Sequence, residues 1–437
     1  MKKSLLIALA GSLLVATQLK ADNDLYITGS TAFRANVHDA CTKLFTSYTE
    51  YTGTAATGGD SKTGSKAAQW TLTGTPIAGL TTIQGSTFTI HALFNGSIGG
   101  AKAAQSPTTG LWFLDKTGSK ITNSATIAFS DVSTSVTPYP VDGSTYNEEP
   151  VAVQPFVMCR STASALSVVT NITQGQLLYL IKTGKSKLSV WSGNPADRST
   201  AVYAIQRTKD SGSRLTLFKE VADSYNSSAN VYIYTNTTIG WVLPSQSTSA
   251  SAASVVGSSG NNNWNYAFGP GFVGGGDVST ALNNNNANNL SVAVLSFGDA
   301  KGVTGSAQAN NWTQVIAYNG TYPTVQGAGI AGNGGTNDFT PITLGQYTLW
   351  APEVCVYPVK DPSSLSTDQN LSASQLGNQT TAGTILGVLD AVTTGGGTPV
   401  TGSIDNEIEL SKTAGATAIR YNDMLANRAA PGGTIVP

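Results

Sequence analysis

Charge is what this 437-residue chain has least of: Asp, Glu, Lys and Arg make up 11% of it, against about 25% in an ordinary soluble protein. The formal net charge is −1, so no basic field exists to hold a nucleic acid. Histidine is scarce too. The two present, His38 and His91, have no second ligand at metal-binding spacing, which argues against a zinc site and against a nucleophile activated by imidazole. The three cysteines, Cys41, Cys159 and Cys355, permit at most one internal disulfide and are too far apart in sequence to suggest a pairing. The favoured reading is three buried small hydrophobic side chains, with one bridge left open. After the N-terminal stretch, no apolar run is long enough to cross a bilayer.

What the chain does have is glycine, 47 residues of it, and loops crowded with Asn, Ser and Thr. Its length allows two or three domains, each with its own core. Lys2-Lys3, the apolar run Leu5 to Leu19 and the small-residue site Leu19-Lys20-Ala21 read as a secretory signal peptide over residues 1–21. Its removal takes three of the 24 basic side chains and leaves 21 against 25 acidic ones, a formal charge of −4. The expected address is therefore periplasmic or secreted.

The most informative stretch is Arg207-Thr208-Lys209-Asp210-Ser211-Gly212-Ser213. Before it, Ala201 to Gln206 is β-prone and short, as in a buried parallel strand. After it, Leu215, Leu217, Phe218 and Val221 recur at spacings that form one face of a helix. A strand entering a helix through Ser-Gly-Ser presents free backbone N–H groups and hydroxyls at the positive helix end, where an anion is favoured. Arg207 adds a planar fork of donors suited to a tetrahedral oxyanion. The plainer alternative is a capped helix with Arg207 on a solvated surface.

The same arrangement recurs upstream. Leu25-Tyr26-Ile27 runs into Thr28-Gly29-Ser30-Thr31-Ala32-Phe33-Arg34, followed by Val37, Cys41, Leu44 and Phe45 at helical spacing. Phe88 to Phe94 leads to Asn95-Gly96-Ser97-Ile98-Gly99-Gly100, and Ala125 to Phe129 ends in Ser130-Asp131. Residues 52–85 and 106–120 look like loop insertions, the first with hairpin-like stretches. Val151 to Met158 is extended, bounded by Pro150 and interrupted by Pro155, consistent with a strand passing between domains. Further expectations are a helix over Ile172 to Lys182, a short extended stretch over Leu188 to Trp191, strands at Leu290 to Phe297 and Gln346 to Val359, and helices near Thr381 to Val392 and Ala414 to Leu425. Strands alternating with helices predict an α/β architecture with parallel sheets, whose ligands bind beyond the carboxyl ends of the strands.

Two phosphate-type motifs fail on inspection. Gly184-Lys185-Ser186 mimics the end of a P-loop, but Tyr179 stands where the first glycine belongs. Gly327 to Gly332 fits a dinucleotide pattern by letter, yet Asn333-Gly334-Gly335 follows where a helix must begin. What remains is hydroxyls, glycines, one arginine and one aspartate at four strand ends, an inventory for binding rather than catalysis.

Taken together and in order, these turns resemble the phosphate-binding protein of bacterial phosphate ABC transporters. Gly29-Ser30-Thr31-Ala32, Gly96-Ser97-Ile98-Gly99-Gly100, Ser130-Asp131 and Arg207 through Ser213 are similar to that family's successive phosphate turns. Ile172 to Leu177 with Trp191, Ser291 to Ser296 and Tyr318-Asn319-Gly320-Thr321-Tyr322-Pro323 are similar to its later motifs. The departures are the Gly/Thr-rich insertions, Lys209-Asp210 where a glycine normally precedes the serine, and long Asn-rich excursions such as Asn261 to Asn263 and Asn283 to Asn286. The resemblance implies a two-domain type II periplasmic binding protein fold, each domain a mainly parallel sheet flanked by helices, with the ligand cleft between domains. The implied domains are residues 22–153 plus 345–437 and residues 154–344. It also implies a phosphate site of Thr31, Ala32, Ser97, Asp131, Arg207, Ser211, Gly212 and Ser213, without catalytic residues, metal or cofactor. The implied partners are phosphate or a similar oxyanion and a membrane ABC permease, and the mature chain is expected to be a monomer. Two alternatives stand beside this: a secreted adhesin-like structural surface protein, which the Gly/Asn/Thr-rich composition permits but no internal repeat supports, and a secreted hydrolase, which lacks a base.

Overall fold

The computed structural model describes residues 23–53, 62–77, 87–106, 110–143, 145–208, 211–222, 235–237, 240–242, 272, 274–283, 290–300, 314–325, 337–358, 419, 424–428 and 435–436. The expected signal peptide, Lys209-Asp210, the Gly327 to Gly332 motif, most of the Asn-rich runs and the expected helix at Thr381 to Val392 lie outside these residues.

The first half is built on β1 (Asn23–Gly29), whose buried Leu25 and Ile27 sit at alternate positions as a strand requires. After a tight turn, α1 (Arg34–Thr42) buries Val37, Ala40 and Cys41 on one face. Phe45, expected to continue that face, instead opens β2 (Phe45–Thr52), where alternating Thr and Tyr favour an extended chain. β2 pairs antiparallel with β3 (Gln69–Pro76), and β3 with β4 (Phe88–Leu93). Part of the expected insertion is thus a hairpin inside the main sheet, with Trp70 and Leu72 in the core. α2 (Ser97–Ala104) follows β4. The second expected insertion holds another hairpin, β5 (Leu111–Leu114) with β6 (Lys120–Asn123), and then comes β7 (Ile127–Ser130). β1 lies between β4 and β7, parallel to both, so the carboxyl ends of all three face the same edge.

β8 (Tyr146–Arg160) is the longest strand described. Pro155 marks where its partner changes. Residues Tyr146 to Pro155 pair with the late strand β16 (Trp350–Pro358), and Phe156 to Arg160 pair with β14 (Ser291–Ser296). Val151 is the extra residue of a bulge, because Glu353 pairs with Ala152 while Val354 pairs with Pro150. Proline tolerates such a site because it has no ladder donor to lose.

In the second half, β9 (Asn171–Ile172) precedes α3 (Gln174–Thr183). Thr173 and Gln176 form a reciprocal capping box at its start, and Gly184, in the left-handed region at φ 72°, ends it. The P-loop mimic is thus a helix C-cap running into β10 (Lys185–Lys187). Leu188 to Trp191, expected to be extended, is instead part of a single helical turn, α4 (Ser189–Ser192), closed by Gly193 at φ 69°. β11 (Ala201–Ala204) runs parallel to β14, and between them in sequence lie α5 (Gly212–Ala222), a small hairpin of β12 (Thr235–Thr237) and β13 (Gly240–Val242), and α6 (Gly275–Asn283). α7 (Phe297–Ala300) follows β14, then β15 (Val315–Tyr318) and α8 (Thr340–Thr343). Ile419, expected on a helix, makes an extended bridge to Val153.

The architecture is α/β. Its large sheet follows the order β10-β11-β14-β8-β16-β7-β1-β4-β3-β2, with β15 and β9 attached to the side at β8. Parallel pairs carry the turns of interest, while β8, β16 and the β2–β3 hairpin add antiparallel pairs that strand-helix alternation did not disclose. Separate apolar clusters flank the middle: one around Phe33, Trp70 and Phe129, another around Phe156, Leu177, Phe218 and Tyr347. Cys41, Cys159 and Cys355 are buried and free.

Candidate functional site

Close backbone approach sets the first side of the site. A Cβ on Gly29 would lie 1.9 Å from the Phe129 carbonyl oxygen, and one on Gly100 would lie 2.4 Å from the Gly29 Cα. Only glycine at both positions lets α2 seat on the end of β1. That seating delivers Ser97, the first residue of α2, to Asp131 just past β7: the Ser97 hydroxyl donates to Asp131 Oδ1, and the Asp131 backbone N–H donates to Ser97 Oγ at 3.3 Å. The turn after β1 is fixed equally firmly. The Ser30 N–H donates to the Phe129 carbonyl at 2.7 Å, and Ser30 Oγ accepts from the Phe33 N–H at 3.3 Å. This leaves Thr31 facing the second half, while Ala32 packs into that half's apolar cluster.

The second side comes from the segment after β11. Arg207 forms a parallel bridge with Phe272. Its Nε donates to the Phe272 carbonyl at 3.2 Å, and its Nη2 donates to Thr31 Oγ1 at 3.0 Å. Arg214, in the first turn of α5, donates to the Arg207 carbonyl at 2.9 Å. The Ser211 and Ser213 hydroxyls lie 2.8 Å apart. Between them, Gly212 meets the first side directly, since a Cβ there would fall 1.5 Å from Asp131 Oδ1 and 2.8 Å from Ser97 Oγ. The N-terminus of an eleven-residue helix, whose first N–H groups have no intrahelical acceptor, therefore abuts a carboxylate and a hydroxyl. Ile98, Val132 and Leu215 form an apolar seal beside the junction.

All of these polar groups are removed from water: Asp131 is 3% exposed and Arg207 is 4% exposed. Burial pushes the Asp131 carboxyl up to about 6, against the opposing pull of the Ser97 hydrogen bond and the Arg207 charge. Burial also draws the Arg207 guanidinium below its ordinary value, while Asp299 first, then Asp131 and Asp277, favour its charged form. Asp299 is held by Ser296, whose hydroxyl donates to Oδ2 at 2.8 Å, and it pairs with Arg34 of α1 at 3.4 Å. The cluster thus sets three guanidinium groups, those of Arg34, Arg207 and Arg214, among three aspartates. It can take an anion through hydroxyl, guanidinium and backbone N–H donors, and it offers one carboxylate as acceptor to a ligand that carries a proton.

All eight residues expected from the sequence, Thr31, Ala32, Ser97, Asp131, Arg207, Ser211, Gly212 and Ser213, are buried and lie along this one junction. Sequence reasoning missed Arg34, Asp277 and Asp299. Ser296-Phe297-Gly298-Asp299 was legible in kind, being one more small-residue turn at the end of a strand. Nothing local marked Asp277, whose burial raises its carboxyl while Lys62 and the Gly274 N–H oppose the rise.

No protein-family model matches the sequence, and no curated protein does. Solved structures similar to the chain include a Clostridium perfringens protein classed as a phosphate ABC transporter substrate-binding protein, with bound phosphate, at 11% identity and TM-score 0.39 over 80% of this chain and 90% of that one. An ABC-type phosphate transport receptor from Vibrio cholerae is similar at 12% identity and TM-score 0.34, over 80% and 92%. The ancestral soluble variant of the human phosphate binding protein is similar at 13% and 0.37, over 92% and 98%. What this chain holds is decided by its own side chains.

Proposed function

We propose that the chain is an exported solute-binding protein that captures inorganic phosphate, or a related tetrahedral oxyanion, between two α/β domains formed by residues 22–153 with 345–437 and by residues 154–344. In this reading residues 1–21 direct export, the protein works in the periplasm or outside the cell, and it delivers its ligand to a membrane ABC permease. Thr31, the Ala32 N–H, Ser97, Arg207, Ser211, the Gly212 N–H and Ser213 donate to the anion, and Asp131 accepts from its proton.

One observation carries this reading: Arg207, buried and anchored on Phe272, reaches Thr31 from the opposite side of the junction. A capped surface helix would leave Arg207 in water. Helices flanking the large sheet also remove the nearly all-β architecture that an adhesin-like protein would have supplied.

Isothermal titration calorimetry of the purified mature protein with phosphate, sulfate and a phosphate monoester tests the proposal. Phosphate should bind and sulfate far more weakly; a protein that binds no oxyanion overturns the proposal, and one that binds sulfate as well as phosphate removes Asp131 from the site. Because donors come from both proposed domains, small-angle scattering should show a smaller radius of gyration at saturating phosphate. An unchanged radius with binding confirmed would remove the hinge and leave the site.

A further inference from the structure

Glu353, on β16, has no solvent-exposed surface, and neither of its carboxyl oxygens has a hydrogen-bond partner among the described residues. Its neighbour Val354 pairs with Ser130, the last residue of β7, at the end of the antiparallel β16–β7 ladder, so the next residue of each segment, Glu353 on β16 and Asp131 just past β7, stands at the end of that ladder. Facing positions on adjacent antiparallel strands carry their side chains on one face, with Cβ atoms about 4.5–5.5 Å apart, and like charges there are destabilising. On the other side of β16 the pairing with β8 shifts register at this same point, between Glu353 and Val354, where Val151 bulges.

From β8, Glu353 faces Ala152, and the next polar residue along that strand is Gln154; neither titrates. Beyond the end of β7 stands Asp131, and the one charged side chain of α2, which also packs against β16, is the exposed Lys102 over the Tyr139 ring. A buried carboxylate with no donor is costly, whereas the neutral acid costs far less. Accordingly, burial first and the Asp131 charge second hold the Glu353 carboxyl well above the usual range.

We propose that Glu353 is a positioning residue for the oxyanion site: an uncharged carboxylic acid near Asp131, whose proton must be in place for the site to keep its anion. When Glu353 gives that proton to solvent, a second negative charge stands beside Asp131 with no donor to hold it, and the bound anion is expelled. Asp131 remains the group that touches the ligand, and Glu353 acts through it. This rests on the reading of Asp131 as a ligand contact, so the test has one arm that needs no ligand.

In that arm, infrared spectra of the ligand-free protein near neutral pH should contain a protonated-carboxyl C=O band that is lost in Glu353→Gln. Its thermal counterpart follows from linkage. The folded carboxyl sits above its unfolded value, so its contribution to stability is intact below about pH 4 and is lost as pH rises towards the folded value. The Tm of Glu353→Gln should therefore exceed the parent's by a margin that widens as pH rises. A parent spectrum identical to that of the variant, together with a Tm difference independent of pH, would overturn the proposal whatever the ligand.

The second arm measures phosphate affinity from about pH 6 to about pH 10. The parent should lose at least about tenfold more affinity than Glu353→Gln, an energy gap of about 1.4 kcal/mol. Parallel pH profiles would overturn the coupling while leaving the phosphate site intact. A parent that binds phosphate at no pH would instead sink the proposed function, and the infrared arm would still decide the state of Glu353.

Discussion

Two turns of one local design face each other across the site, and they do different things. The turn at Gly29 to Phe33 carries no charge and is fixed from within: backbone and hydroxyl bonds of Ser30 hold it to Phe129 and Phe33. The turn at Arg207 to Ser213 carries a buried guanidinium whose charge is favoured by aspartates from three other segments, Asp299, Asp131 and Asp277. The first sets geometry and the second supplies charge. A strand, a small-residue turn and a helix start are therefore enough to locate a binding edge, but the energetics depend on what the rest of the chain brings to it.

The sharpest way to probe that division is through Asp131, where the charged turn meets the neutral side. With its carboxyl near 6, Asp131 is ionised above that pH and can accept a hydrogen bond from a protonated phosphate oxygen, whereas sulfate has no proton to donate. Competition titrations at about pH 8 should show phosphate favoured by ~10⁴-fold or more. As pH falls through about 6, Asp131 gains a proton and can itself donate, so the preference should shrink. Asp131→Asn should show low discrimination at every pH.

Arg207→Ala should weaken phosphate binding by roughly 2–5 kcal/mol, since a desolvated charge partner is lost; calorimetry with equal affinity in parent and variant would return Arg207 to a structural role. Gly212→Ala tests the contact between the sides. Its Cβ would meet Asp131 Oδ1 at 1.5 Å, so the helix must retreat, at a cost of roughly 1–3 kcal/mol in stability, and phosphate affinity should fall as well. Denaturant unfolding and titration of one preparation would read both. Thr31→Val, which removes the acceptor for Arg207 Nη2, should have the smallest effect, about 1 kcal/mol in affinity. A loss as large as that of Arg207→Ala would mean that the neutral turn carries more than geometry.

The strand-turn-helix units were legible because their signals are local: alternation in β1, the apolar face of α1, and glycines where chains must approach. Gly29 and Gly100 fall within the sequence motifs, and close backbone approach is the reason for each. Two other motifs that fed the resemblance have a local cause as well. Ile172 to Leu177 is a capping box, and the Tyr318 to Pro323 loop places Asn319 Oδ1 to accept from the Gln174 N–H at 2.8 Å, so the two sequences hold α3 in place away from the anion site. Phe45 and Leu188 to Trp191 were misread because a few apolar residues fit either period, and sheet pairing or a single turn closed by Gly193 decided between them. Asp277 and Glu353 could not be read at all, and Asp299 only as one more turn at a strand end, because their roles come from segments distant in sequence.

β7 has one consequence for how the protein comes into being. The strand that flanks it opposite β1 is β16, so Ser130 waits for Val354. During synthesis more than two hundred residues must follow Asp131 before its edge of the sheet can close, which makes this a pairing of high contact order and a late one. An N-terminal fragment ending before β16 would leave that edge open and Asp131 unplaced. The site can therefore form only after most of the described chain has been made, so its assembly belongs to the last stage of folding.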